Sequence, residues 1–157
     1  MRKLTVPIAL LVAIVLSGCA IALKTPTLDQ SANLAQFKFV VIEPTQAIVS
    51  VSGSAGNVSS KDFNPGTFVE GMLLKRGIIR VPAVTPATSA ETLVLRWGVS
   101  GRRDILLGLG GYTQEVTFAF LRASTMEPVY RCTAEGIGST EADDIREALN
   151  TCLSAAR

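Results

Sequence analysis

The chain has 157 residues, with 15 Lys plus Arg against 13 Asp plus Glu, three cysteines and no histidine. Without imidazole it has no Ser-His-Asp or Cys-His catalysis, no histidine-ligated zinc and no charge switch near neutral pH. The near-balance of charge leaves no broad footprint for nucleic acid or an anionic bilayer.

Met1-Arg2-Lys3 is a short positive start, and Leu4 to Leu16 is almost wholly apolar. A run of about 13 residues suits a signal-peptide core and falls short of the ~20 that a spanning helix needs. Leu16-Ser17-Gly18-Cys19 follows. This order of charge, apolar run, small pair and cysteine resembles the signal and lipobox of bacterial lipoproteins. The resemblance implies cleavage before Cys19, a diacylglycerol on its sulfur and an acyl chain on its new amino group. Two or three chains, at ~0.8 kcal/mol per buried methylene, make a lasting anchor where one is marginal. Ala20-Ile21-Ala22 is also an A-x-A pattern, so cleavage after Ala22 to a soluble periplasmic protein stands beside this reading, as does an uncleaved apolar start. Ala20 and Ile21 carry no acid, and by the family's sorting rule that implies the outer membrane, facing the periplasm.

Residues 1–18 are thus a signal peptide, 19–36 a lipidated tether, and 37–157 one domain. The tether mixes small and polar residues without sustained periodicity, and its 17 residues after Cys19 would reach about 55 Å if extended. Phe37 to Glu43 predicts a strand buried on both faces, closed by Pro44. Residues 47–52 predict a shorter strand, and 53–60 a loop or hairpin tip. Asn64-Pro65 opens a helix with Phe68, Val69, Met72, Leu73 and Lys75 along it, stopped at Gly77. Residues 78–81 are a short strand, and 82–91 a linker.

From Thr92 to Asp104, Leu93, Leu95, Trp97 and Val99 alternate against Arg96, Ser100 and Arg102. A glycine turn around 108–111 leads into 112–123, where Gln114, Val116, Phe118 and Phe120 share a face opposite Thr113, Glu115 and Thr117. A second turn leads to a strand over 129–136, completing a three-strand antiparallel meander. Thr140 caps a helix in which Ile145, Ala148, Leu149, Cys152, Leu153 and Ala156 form one apolar face. Its early acids, Glu141, Asp143 and Asp144, suit the helix dipole and need no calcium to explain them. The order predicts an α+β two-layer sandwich, a mostly antiparallel sheet of four or five strands with two helices on one face. Residues 90–156, through the meander GYTQEVTFAFLRASTMEPVYRCTAEG and the helix after it, look like small Gram-negative periplasmic lipoprotein domains of unknown function. That resemblance implies an accessory or assembly role in the envelope and brings no catalytic residues.

Cys132 and Cys152 are an even pair for an oxidising compartment, either a disulfide or two buried thiols. Gly101-Arg102-Arg103-Asp104 beside Tyr112 is the densest polar group, a grip for a carboxylate, phosphate or glycan unless Asp104 simply pairs with an arginine. Ile105 to Leu109 with Tyr112 form an apolar tip that either docks on a partner or bilayer or folds back on the core. The expected function is a non-enzymatic, lipid-anchored envelope accessory with an unidentified protein partner and no cofactor, metal or nucleic acid. A lipid- or glycan-binding module using Arg102 or Arg103 is the alternative, and a carboxylate hydrolase built on Glu115 and Asp104 the remote one.

Overall fold

Apolar residues two apart on four neighbouring strands need cover on one side of a sheet, and two helices supply it. The computed structural model describes residues 23–54, 57–105 and 111–157. Among the described residues there are eight strands: β1 (Thr27–Gln30), β2 (Phe39–Ile42), β3 (Ile48–Ser54), β4 (Asn57–Phe63), β5 (Ile79–Arg80), β6 (Thr92–Asp104), β7 (Tyr112–Arg122) and β8 (Pro128–Gly136). The helices are α1 (Pro65–Leu74) and α2 (Glu141–Ala155). Six strands make one open sheet in the order β1-β8-β7-β6-β2-β5, and β3 and β4 pair as a separate hairpin. The architecture is mixed α+β.

The meander β6-β7-β8 is the expected antiparallel unit, and β6 has the expected bounds. The pairings of β2 with β6 and with β5 are parallel, so the sheet is mixed rather than mostly antiparallel. Chain connection explains this. The route from β2 to β5 passes through the β3-β4 hairpin and α1, a crossover long enough to return parallel. β2 is interior as expected, yet buried on one face only: Val40 and Ile42 are inside, Phe39 and Val41 half-buried. Of the stretch read as a loop or hairpin tip, the described residues 53–54 and 57–60 belong to the paired strands of the β3-β4 hairpin, whose register runs from Ile48 opposite Phe63 to Ser54 opposite Asn57. Ser-rich, low-hydropathy sequence hid β4.

Val40, Ile42, Leu93, Leu95, Val116, Phe118, Phe120, Tyr130, Cys132 and Ala134 line the covered face of the sheet. Phe118 meets Phe120 edge-on with ring centroids 4.7 Å apart. α2 lies across β7 and β8, burying all six residues of its expected stripe. Thr140 caps it, its Oγ1 accepting from the Asp143 amide at 3.2 Å. α1 is capped by Asn64, whose Oδ1 accepts from Thr67 N at 3.0 Å, with Pro65 in the first turn. Its buried stripe is Pro65, Gly66, Val69 and Leu73, with Phe68 and Met72 at the margin, so Lys75 is not part of the inner face. Gly77 takes φ of +77°, the left-handed stop expected of it.

Much of the expected tether belongs to the folded body. β1 adds to the edge of β8, from Thr27 opposite Thr133 to Gln30 opposite Tyr130. Leu34–Gln36 form a 3-10 turn capped by Asn33, with Leu34 buried in the core. Four residues are too short for alternation to register, and backbone pairing with β8, together with the Gln30 side chain, recruits them.

Candidate functional site

Among Arg102, Arg103, Asp104 and Tyr112, a bulge decides what faces what. β6 and β7 are in register to Val99 opposite Val116, and the next pair is Gly101 opposite Glu115, which leaves Ser100 as the extra residue. The slip reverses the alternation beyond it. Arg102 turns to the helix side, where its guanidinium stacks over the Tyr112 ring, 3.6 Å from the centroid. Arg103 turns to the open face of the sheet. The four residues therefore do not converge on one ligand. Asp104 is opposite Tyr112 and Glu115 opposite Gly101, so alternation also puts the two carboxylates on opposite faces and removes them as a shared hydrolytic pair.

Arg103 instead forks onto Glu135 of β8, with Nε 3.0 Å from Oε1 and Nη2 2.7 Å from Oε2. The Glu135 side chain is only 2% exposed. Lys24 closes the other side: its backbone amide donates to Oε2 at 3.0 Å, and its Nζ lies 3.4 Å from Oε1. The same Nζ donates to Glu115 Oε2 at 3.2 Å, and Ser100 Oγ donates to Glu115 Oε1 at 2.9 Å. Thr117 Oγ1 extends the chain to Ser100 and Thr133, each at 3.0 Å. Hydrogen bonds from Arg103 outweigh burial and, with the Lys24 amide, hold the Glu135 carboxyl down at about 2. Lys24 is correspondingly raised, chiefly by its bond to Glu115. Such a network, with Glu135 held by Arg103 and Lys24 and Glu115 by Lys24 and Ser100, fixes these side chains relative to one another.

Cys132 and Cys152 form a disulfide with Cα atoms 5.6 Å apart, pinning β8 to α2. Beside it the Tyr130 hydroxyl donates to the Cys152 carbonyl, and burial raises that phenol to about 12. Arg76, just past the end of α1, donates to the carbonyls of Leu153 and Ala156 and so satisfies the end of α2. At the other end of α2, Asp144 is buried and its carboxyl raised, foremost by that burial. Its Oδ1 and the Gln114 Oε1 have no hydrogen-bond partner among the described residues.

An open cleft of about 400 Å³ lies where β2 ends, lined by Ile42, Pro44, Leu95, Trp97 and the ion-paired Arg96 and Glu43. Trp97 is half-buried and packs against the core. Neither Arg102 nor Arg103 lines this cleft. Among the described residues no group of three His, Cys, Asp or Glu is placed to hold a metal, and no helix is long and apolar enough to cross a membrane. Cys19 and the apolar tip at 106–110 lie outside the described residues; Ile105 at the edge of that tip is buried.

Sequence reasoning passed over Glu135 and Lys24. Glu135 falls on an alternating strand whose other face is apolar, so it reads as a solvated residue. Lys24 sits in a segment without periodicity, and only its pairing partners reveal it.

No family model matches the chain, and no curated protein matches it. Solved structures do. The PelC dodecamer from Paraburkholderia phytofirmans is 16% identical, with 85% of this chain and 99% of that chain covered and a TM-score of 0.52. A single-substitution variant of the same protein is 17% identical, covers 85% of this chain and 98% of that one, and has a TM-score of 0.49. At this identity the likeness is one of fold.

Proposed function

We propose that the protein is a lipoprotein acylated on Cys19, held on the periplasmic face of the outer membrane, where it acts as a non-enzymatic accessory of an envelope assembly. The observation that carries this reading is the buried Cys132–Cys152 disulfide, which suits an exported chain, behind a signal and lipobox in the expected order. In this reading the two helices and the sheet make a two-layer sandwich whose second face, together with the free edges at β1 and β5, is left for partners. The fold likeness to a PelC dodecamer adds copies of the same chain to those partners. Palmitate labelling tests the anchor: wild type is expected to take label and fractionate with membranes, and Cys19→Ser to do neither. An unlabelled wild-type product overturns the reading.

A second reading, a small-ligand module for lipid or glycan, is favoured by one observation. The cleft is lined by Trp97 together with Arg96 and Glu43, in place of the arginines expected from sequence. Quenching of Trp97 fluorescence by a soluble oligosaccharide or short-chain lipid, lost in Arg96→Ala, is the expected outcome if this reading holds.

A further inference from the structure

β6 has 13 residues, yet β2 pairs only with Thr92 to Leu95, while β7 follows the other side of β6 as far as Asp104. Backbone bonds fix which residues of the remainder turn outward. The Ala123 amide donates to the Thr92 carbonyl at 2.9 Å, so up to the bulge Thr92, Val94, Arg96 and Gly98 bond β7 and the residues between them face the β2 side. Beyond the bulge, the Ile105 amide donates to the Gly111 carbonyl at 2.9 Å, so Gly101 and Arg103 bond β7 while Arg102 and Asp104 face outward. Leu93 and Leu95 meet β2. Trp97, Val99, Arg102 and Asp104 meet no strand among the described residues. The gap is held open by the chain that leaves it. Pro44 follows β2, and Thr45 is tied to the cap of α1: its Oγ1 donates to Asn64 Oδ1 at 2.7 Å, and Asn64 Nδ2 donates to its carbonyl at 3.1 Å. The cleft lined by Trp97 opens at that departure, and Val99, on the helix side of β6, is 45% exposed.

We infer that the outer edge of β6 from Trp97 to Asp104 is a docking site for an extended segment of a partner protein, which adds to the sheet as a strand in line with β2. Its side chains on the helix side are an apolar group against Val99 and a carboxylate and an ammonium opposite Arg102 and Asp104. The inference rests on the accessory reading for the partner's being a protein, and adds where and in what form that partner binds. Amides and carbonyls turned outward from alternate residues, about 7 Å apart, are matched by another extended backbone. Arg102 and Asp104 are both exposed, and neither is in an ion pair among the described residues, whereas Arg96 and Arg103 already hold Glu43 and Glu135. Charge complementarity therefore asks for an acid and a base two residues apart. The bulge at Ser100 argues against a second copy as the occupant. It bends β6, so the regular edge of another sheet does not follow it, whereas a single chain can. β1, with four residues, and β5, with two, are also too short to cover this edge.

The test uses the full protein in detergent micelles and two acetylated, amidated octapeptides, Thr-Val-Thr-Val-Thr-Glu-Thr-Lys and its reverse, since a strand can add in either direction. One of them is expected to shift the fluorescence of Trp97, the chain's one tryptophan. It is also expected to slow hydrogen exchange about tenfold at the Trp97 and Val99 amides, leaving those of Val116 to Phe120 unchanged. The same peptide fully N-methylated keeps its side chains but has no donors, and is expected to bind about tenfold more weakly. Val99→Pro deletes an outward amide at an edge position, where proline is tolerated, and is expected to weaken binding about tenfold with an unchanged circular dichroism spectrum. Should that variant not fold, the methylated peptide and the wild-type exchange carry the test. No binding of either peptide at millimolar concentration overturns the inference, as does equal binding of the methylated form or unchanged exchange at 97 and 99. Exchange there that slows with protein concentration alone, with dimers in sedimentation, assigns the edge to a second copy and overturns the peptide partner. A protein that takes no palmitate but binds the peptide fails the acylation reading and keeps this one.

Discussion

Glu135 keeps its charge although burial by itself would favour the neutral acid, because Arg103 and the Lys24 amide are bound only by the carboxylate. Its pKa is lower folded than unfolded, so it adds stability above the unfolded value of about 4.3 and loses that contribution as pH falls towards 2. Denaturant midpoints measured between pH 5 and pH 2 are expected to drop in wild type and to drop less in Glu135→Gln. Tyr130 has the opposite sign. Its phenol is raised to about 12 by burial, so stability is expected to decline as pH rises past 10, with Tyr130→Phe insensitive there. Gly136 offers a third reading at this scale. A Cβ there would fall on the Asp144 carbonyl oxygen of α2, backbone that cannot swing aside. Gly136→Ala is expected to lower the thermal midpoint by more than 5 °C, as a cost of about 2 kcal/mol would.

Helix α2 was legible almost in full, because six apolar residues at helical spacing, a Thr cap and early acids all point the same way. The disulfide followed from two residues in those elements, though sequence left it open against free thiols. Opening it, by reduction or by Cys152→Ser, is expected to cost ~3 kcal/mol in a denaturant melt. β6 shows where such reading stops. Its bounds were legible from alternation, yet a single bulged residue, Ser100, exchanged the faces of Arg102 and Arg103. Period-two counting cannot see an insertion that keeps both strands extended. The residues of the polar grip expected at 101–104 are therefore divided between the two faces of the sheet. β1 and β4 lacked any hydrophobic signature and became strands because a neighbour offered an edge.

The boundary drawn from composition at residue 37 cuts through the folded body. A chain beginning at 37 lacks β1, buried Leu34 and all three Lys24 contacts, and leaves Glu135 with Arg103 alone of the two. Its thermal midpoint is expected to fall roughly 5–10 °C below that of a chain beginning at 23, measured by circular dichroism. The ends are also clasped, since Gln30 donates to the Arg157 carbonyl and accepts from the Arg157 amide.

The disulfide between β8 and α2 acquires a mechanical meaning from this arrangement. Any load drawn through residues 19–23 reaches the body at Lys24 and β1, and β1 transmits it to β8 through hydrogen bonds alone. β8 in turn is riveted covalently to the last helix. Tension thus meets a weak coupling before a strong one: the leader peels off and lengthens while the core stays whole.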